Sequence, residues 1–304
     1  MIREKYINPF TDFGFKLLFG KEANKDLLVD FLNSFLPQKH QIAELDFRKT
    51  AYEGMVEADR KAFFDIFCKS KTGEHFIVEM QKAKHHFFKD RALFYTSYPI
   101  REEAKRGSEW TFELPPIYFF AILDFKLDEE KERQKVLRIV SLKDQDGAVF
   151  YDKLNFIFIQ MPSFVKKETE LETHQDKWLF FLQNLPSFDH IPDILREPVF
   201  EKGFGISKLG TLTQAEYHSY EQSLLTYIEM KGVVDTAFDE GMEVGIEKGI
   251  EKGVALGIEK EKTRQNALRK EEKHQMAKNL KQAGVALHII IQATGLTEAE
   301  IEML

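Results

Sequence analysis

Lys61-Ala62-Phe63-Phe64-Asp65-Ile66-Phe67-Cys68 and His75-Phe76-Ile77-Val78-Glu79-Met80-Gln81 are two short apolar runs flanking the turn Lys71-Thr72-Gly73. Both are rich in strand formers, and glycine suits the positive-φ position that closes a three-residue hairpin loop. If the turn centres on Thr72, Asp65 lies opposite Glu79. Side chains alternate along a strand, so Phe63, Asp65 and Phe67 share one face, as do His75, Ile77, Glu79 and Gln81. Directly opposed Cβ atoms stand about 4.5–5.5 Å apart, close enough for two carboxylates to hold one divalent cation. Like charges opposed on a sheet are otherwise destabilising. A metal is the sharpest way to compensate them.

Composition sets the frame around this hairpin. With 304 residues, 43% of them hydrophobic, the chain can bury a sizeable core, and one large domain with a smaller appendage is the natural division. The 28 Phe make that core aromatic and say nothing of chemistry. A single cysteine, Cys68, excludes an internal disulfide and points to a reduced, cytoplasmic setting. It sits on the apolar face of its strand and reads as core. The start Met-Ile-Arg-Glu-Lys-Tyr has no apolar leader-like run. No stretch approaches the ~18 apolar residues of a membrane span, so no membrane partner is expected.

The formal net charge of −7 argues against a generally basic nucleic-acid coat. The charge is uneven, however. From Lys82 to Arg106, seven Lys and Arg stand against three Asp and Glu, directly after the acidic hairpin. A local basic face beside a cation site can still engage a phosphate backbone.

Apolar spacing predicts helices over Asp12–Phe19 and Ala23–Leu36, the second stopped by Pro37. A strand is expected over Glu44–Thr50. His85–Arg106 reads as a helix with Phe88, Ala92 and Tyr95 on one stripe, kinked or interrupted at Pro99. Adjacent His85 and His86 cannot share a helix face and read as surface residues. After Pro115-Pro116, the run Ile117–Leu123 suits a fully buried central strand, and Val136–Leu142 and Leu154–Gln160 read as further strands. From Gln175 the pattern turns helical, with Trp178, Phe181, Leu182 and Leu185 on one face. The fold class is α/β, a mixed sheet covered by helices and followed by a helical C-terminal region. The expected division is 1–235 (core about 1–165, helical part about 170–235), a linker over 236–282, and a tail over 283–304.

Within the linker, Gly241, Gly245, Gly249, Gly253 and Gly257 recur every fourth residue. Each costs a helix about 0.8–1 kcal/mol relative to Ala. The segment reads either as a marginal helical linker or as a row that lets a second helix approach and form a homodimer. In the tail, Gly295 ends one short helix and Thr297-Glu-Ala-Glu300 offers a capping box for the next, a small docking or helix-turn-helix-like element.

Asp65, Glu79 and Gln81 suit metal-assisted phosphodiester hydrolysis. Two carboxylates and an amide oxygen are hard ligands that Mg²⁺ accepts while keeping several waters, and Mn²⁺ or Ca²⁺ fit the same set. Such an ion polarises a phosphate and lowers the pKa of an attacking water. Asp12, at the start of a helix, is either a third acid of this site or a first-turn acid favoured by the helix dipole. Arg91 and Tyr95 lie one helical turn apart. Arg91 either grips a phosphate or pairs with an acid, and Tyr95 either positions that phosphate or fills the core. Lys82 and Lys84 extend the basic face as DNA-binding candidates. No Ser-His-Asp order, phosphate-binding glycine loop or CxxC pair supports another chemistry.

Phe64-Asp65-Ile66 with Ile77-Val78-Glu79-Met80-Gln81, preceded by Asp12-Phe-Gly-Phe-Lys16-Leu-Leu-Phe-Gly20 and followed by Arg91-Ala-Leu-Phe-Tyr95, resembles the Rpn family. These are recombination-promoting nucleases, also described as transposases, of the PD-(D/E)XK superfamily. The resemblance covers about the first 160 residues and extends loosely to Ala283-Gly284 and Thr294–Ile301. It implies a restriction-endonuclease-like core and Mg²⁺-type cleavage of DNA, with Asp65 and Glu79 as metal ligands. Gln81 then takes the position of the superfamily lysine, where an amide cannot match an ammonium against developing negative charge. Lys61 has the parity of Asp65 and either supplies that charge or is a solvated strand end, while adjacent Lys82 is expected on the opposite side. The reading is a metal-dependent DNA endonuclease. Its rival is a catalytically reduced nucleic-acid-binding or dimerising scaffold on the same fold.

Overall fold

The computed structural model describes residues 4–52, 62–104, 112–127 and 135–304. Helix α1 (Asp12–Phe19) is opened by Thr11, whose hydroxyl accepts from the Gly14 N–H (3.0 Å) and donates to the Asn8 carbonyl (2.7 Å). Such a cap satisfies a helix-end donor that otherwise has no partner. A Cβ on Gly14 would stand 2.2 Å from that Asn8 oxygen, so no other residue fits this close approach. Helix α2 (Lys25–Phe35) buries Leu27, Leu28, Phe31, Leu32 and Phe35 at helical spacing and ends before Pro37.

The first strands in chain order are β1 (Leu45–Phe47), β2 (Ala51–Tyr52), β3 (Ala62–Phe63), β4 (Ile66–Ser70) and β5 (His75–Gln81). Helix α3 (Phe88–Ala104) follows, and then β6 (Ile117–Leu123), β7 (Leu137–Lys143) and β8 (Val149–Gln160). Six of the strands form one mixed sheet in the order β1-β4-β5-β6-β8-β7, while β2 and β3 pair separately. The central neighbours β5–β6 and β6–β8 are parallel, and the outer pairs are antiparallel. Such a sheet needs cover on both faces. On one side Phe67, Ile77, Phe119, Phe156 and Phe158 pack with Phe88, Ala92 and Tyr98 of α3. On the other, Ile66, Cys68, Phe76, Val78 and Phe120 join the apolar faces of α1, α2, α4 (His174–Asn184) and α5 (Pro198–Ile206).

Two details depart from the sequence reading. The single strand expected over residues 61–68 is divided into β3 and β4 by Phe64 and Asp65. Alternation therefore resets there: Phe64 is buried and Phe63 is 62% exposed, the reverse of the expected facing. Pro99 lies inside α3, which continues to Ala104. His85 and His86 are exposed and precede the helix.

The chain forms two compact units, Met1–Val234 and Asp235–Leu304. Helix α6 (Gln214–Gln282) is helical through the whole glycine repeat. In the first unit its opening turns are tied to the core: Tyr220 Oη accepts from the Asn8 N–H (2.9 Å) and Ser223 Oγ from the Phe13 N–H (3.1 Å). Tyr227 Oη donates to Asp124 (2.8 Å), just beyond β6. In the second unit Ala277, Ile290, Leu296 and Ile301 form a small core with α7 (Leu287–Thr294) and α8 (Glu298–Glu302). Gly295 caps α7 with φ 68°, and Thr297 and Glu300 form the expected capping box. Among the described residues no helix is long and apolar enough to cross a membrane.

Asp30 links α2 to α4 by accepting from the Trp178 indole N–H (2.6 Å) and pairing with His174 Nε2 (2.5 Å). Burial alone would raise the Asp30 pKa, but these hydrogen bonds outweigh it and hold the carboxyl low. The hydrogen bond to Asp30 in turn raises the His174 pKa. A raised histidine contributes its full stabilisation below the ordinary value of about 6.5 and loses it as pH climbs through the folded-state pKa. Asp30, held low, stays ionised across that window. His174→Gln should therefore lower the melting temperature by about 1–3 °C near pH 5.5, the pair being partly solvated. The deficit should shrink toward zero by about pH 8.5 in calorimetric scans.

Candidate active site

The register at the hairpin pairs Ile66 with Val78, Phe67 with Ile77, Cys68 with Phe76 and Lys69 with His75. Gly73 closes the turn at φ 108°, a conformation open to glycine at no steric cost. The β4–β5 ladder ends at Ile66, so Glu79, Met80 and Gln81 have a strand neighbour in β6 alone. Asp65 fills the gap. Its backbone N–H donates to Glu79 Oε1 (3.2 Å), and its own Oδ2 accepts from the Met80 N–H (2.8 Å). Two carboxylates thus satisfy backbone donors where the ladder stops.

Glu79 is 3% exposed and Asp65 is half-buried. Burial, followed by the repulsion of Asp65, pushes the Glu79 carboxyl up to about 8. Burial also raises Asp65, against the opposing pull of the Met80 N–H and the Lys16 charge. Gln81 Nε2 donates to Glu79 Oε2 (3.0 Å), and its amide oxygen accepts from Arg91 Nη2. The Arg91 guanidinium also lies 5.9 Å from the Tyr95 ring centre, and Tyr95 packs edge-on against Phe64 at 5.0 Å. One helical turn of α3 therefore delivers Arg91 and Tyr95 to the acid pair. Burial leads in raising the Tyr95 hydroxyl pKa, with the Glu79 charge next.

Lys61 lies outside the described residues. Lys82 follows the last residue of β5, and its charge acts on Asp65. Burial lowers its own pKa against the attraction of Asp12 and Asp65. Asp12 is the first residue of α1 and pairs with Lys16 at 2.8 Å. Both charges act on Asp65. Lys16 escaped the sequence reading as a site candidate, although its spacing of four from Asp12 within Asp12–Gly20 was the available signal. Lys84 is exposed on the loop after β5. Among the described residues no group of three or more His, Cys, Asp and Glu side chains is placed to hold a metal; Asp12 stands beside the pair, engaged with Lys16.

A mixed sheet, helices on both faces and an acid pair where a ladder ends have a counterpart among known families. A family model described as PD-(D/E)XK nuclease family transposase matches residues 9–237. The chain belongs to this family. Its α/β architecture is accordingly restriction-endonuclease-like, and the matched span holds α1, the hairpin, α3 and the opening of α6. Comparisons with curated proteins and with solved structures give no match.

Nucleases of the PD-(D/E)XK type work with divalent metals, and the donor set here fits one. Two adjacent acids, one of them pushed toward protonation by burial and then by its neighbour, form a site whose charge a hard cation would balance. Metal-free, the protein carries this repulsion. Because the Glu79 pKa stands above its ordinary 4.5, the folded state favours the protonated form and loses stability as pH rises from about 4.5 toward 8. Glu79→Gln mimics the protonated carboxyl and should melt at a higher temperature than the wild type in EDTA above about pH 8. Near pH 4 the two should coincide.

Proposed function

We propose that this chain is a metal-dependent DNA endonuclease that hydrolyses phosphodiester bonds, of the recombination-promoting, transposase-associated type. The observation that carries the reading is the reciprocal Asp65–Glu79 pair at the end of the β4–β5 ladder, with Gln81 and Arg91 bonded behind it. Asp65 and Glu79 would hold Mg²⁺, or Mn²⁺ or Ca²⁺ in its place. A bound divalent cation supplies Lewis-acid polarisation of the phosphate and an acidified water.

The protein's own groups do the rest. Gln81 fixes the Glu79 carboxylate through Oε2 and is itself fixed by Arg91. Arg91, with its planar set of donors, is suited to the non-bridging oxygens of a phosphate. Tyr95 supports Arg91 from below. Lys82 and Lys16, both acting on Asp65, bring positive charge to the side of the pair away from α3, and Lys61 remains a candidate for the same task. Lys84 and the basic stretch that follows would contact the DNA backbone.

Plasmid nicking with and without divalent metal tests the proposal. Asp65→Asn and Glu79→Gln keep the acceptors for the Asp65 and Met80 N–H groups, so the fold should stand while cleavage disappears. Lys82→Met should lower single-turnover cleavage by about 10²-fold with a much smaller loss of DNA affinity, if its charge acts on the transition state. Cleavage that persists in EDTA, or is equal in wild type and both acid variants, would rule the mechanism out.

In this reading the nuclease domain spans 1–235, the helical segment 236–282 connects it to the tail 283–304, and the protein acts as a homodimer through that segment. Support comes from Ile246, Ile250, Val254 and Ile258, each more than half exposed, beside glycines whose Cβ positions meet no atom within 4 Å. Light scattering should give a dimer for the full chain and a monomer for Ile250→Lys/Val254→Lys. A monomeric wild type removes this part of the proposal.

A further inference from the structure

A cavity of about 430 Å³ opens beyond the carboxyl ends of β5 and β6. These strands are parallel and in register, Gln81 beside Leu123, and the Asp124 N–H donates to the Gln81 carbonyl (2.9 Å). The loops leaving them therefore diverge around a shared mouth. In parallel sheets, ligands characteristically bind outside the carboxyl ends of the strands. From the β5 side come Lys84, His85, His86 and Lys89; Phe125 and Leu127 come from the β6 side, with Phe88 between them. Phe88 is buried in the core and meets Phe125 edge to face at 5.8 Å, so the aromatic surface of the mouth is that of half-buried Phe125, with exposed Lys84 and Lys89 at its rim.

The cavity also adjoins the acid pair through a chain of side chains. The Phe88 ring lies 6.0 Å from the Arg91 guanidinium, Arg91 donates to Gln81, and Gln81 donates to Glu79. A group bound against Phe125, which packs on Phe88, is thus near any phosphate held at Arg91. We infer that the cavity receives one unstacked base of a single-stranded stretch of the substrate DNA, its flanking phosphates lying along Lys84 and Lys89. The inference rests on the nuclease reading and adds the substrate class. A duplex keeps its base faces stacked and offers grooves and backbone only. An unstacked base offers a π face that an aromatic floor can take regardless of sequence, while lysines track the backbone. The volume, within the range of small-ligand sites, suits such an inserted group.

The test is equilibrium binding by fluorescence anisotropy in EDTA, where no metal-dependent cutting intervenes. The full chain is given a short oligothymidylate, the same sugar-phosphate strand without bases, and a duplex of equal length. The wild type should bind the oligothymidylate about tenfold or more tighter than the base-free strand, and tighter than the duplex. Phe125→Leu keeps apolar bulk against Phe88 but removes the π face; it should bring the two single strands to near parity without weakening the base-free one. Lys84→Gln/Lys89→Gln should weaken both single strands alike and flatten the slope of log K against log salt by about 0.7 for each phosphate no longer neutralised. Equal wild-type affinity for strands with and without bases, or a preference for the duplex, overturns the inference, as does a Phe125→Leu effect of the same size on both strands. Base-selective binding in a protein that never nicks a plasmid would leave the pocket standing and remove the nuclease reading alone. Nicking by a protein blind to bases would do the reverse.

Discussion

The site depends on where one ladder of hydrogen bonds stops. Strand β4 leaves β5 at Ile66, and the backbone donors exposed by its departure are those of Asp65 and Met80. A buried N–H with no acceptor costs about 1–3 kcal/mol, so the sheet requires oxygen atoms at this place. Carboxylates supply them. The same two groups then repel each other in a setting too dry to screen them. Structural necessity and electrostatic tension therefore fall on the same pair, and the backbone holds the acids together against that repulsion.

Around this pair the two faces of the sheet contribute different chemistry. From the α3 face come Gln81, Arg91 and Tyr95, joined by hydrogen bonds and ring contacts into one connected support. From the side of α1 come Lys16 and Asp12, already paired with each other, and Lys82 from the end of β5. The first group has fixed geometry because α3 is anchored by Phe88, Ala92 and Tyr98 in the core. The second is largely charge held near the surface. Positioning and field are thus assigned to opposite sides of a single sheet.

The parts legible in the sequence were those governed by short-range rules. Gly73 and the apolar runs beside it fixed the hairpin register, because a turn with one positive-φ position permits few pairings. The caps at Thr297 and Gly295, the helical face of Trp178 and Phe181, and the buried run Ile117–Leu123 were readable for the same reason. The break at Phe64–Asp65 was not, since two consecutive phenylalanines satisfy either alternation and the choice between them is made by the packing of Phe64 against Tyr95 and Tyr98. Strand parity set Lys82 apart from Glu79 and Gln81 but said nothing of the reach of its charge, which acts on Asp65. Lys16 was hidden by distance along the chain: α1 reaches the acids only through the tertiary fold. The glycine repeat was charged with its helix penalty, yet the segment is helical, the sum of many ordinary helix formers between the glycines.

The bond from the Asn8 N–H to Tyr220 Oη joins residues 212 positions apart, and Ile7 bonds to Ser207 close by. The beginning of the first unit is therefore completed by its end. During synthesis Ile7 and Asn8 leave the ribosome well before Ser207 and Tyr220, their partners near the end of the unit. Contacts of such sequence separation slow folding, since chain entropy is surrendered before they form. Until Tyr220 arrives, the apolar faces of α1 and α2 lack part of their cover, and apolar surface left open in this way is what favours aggregation over folding.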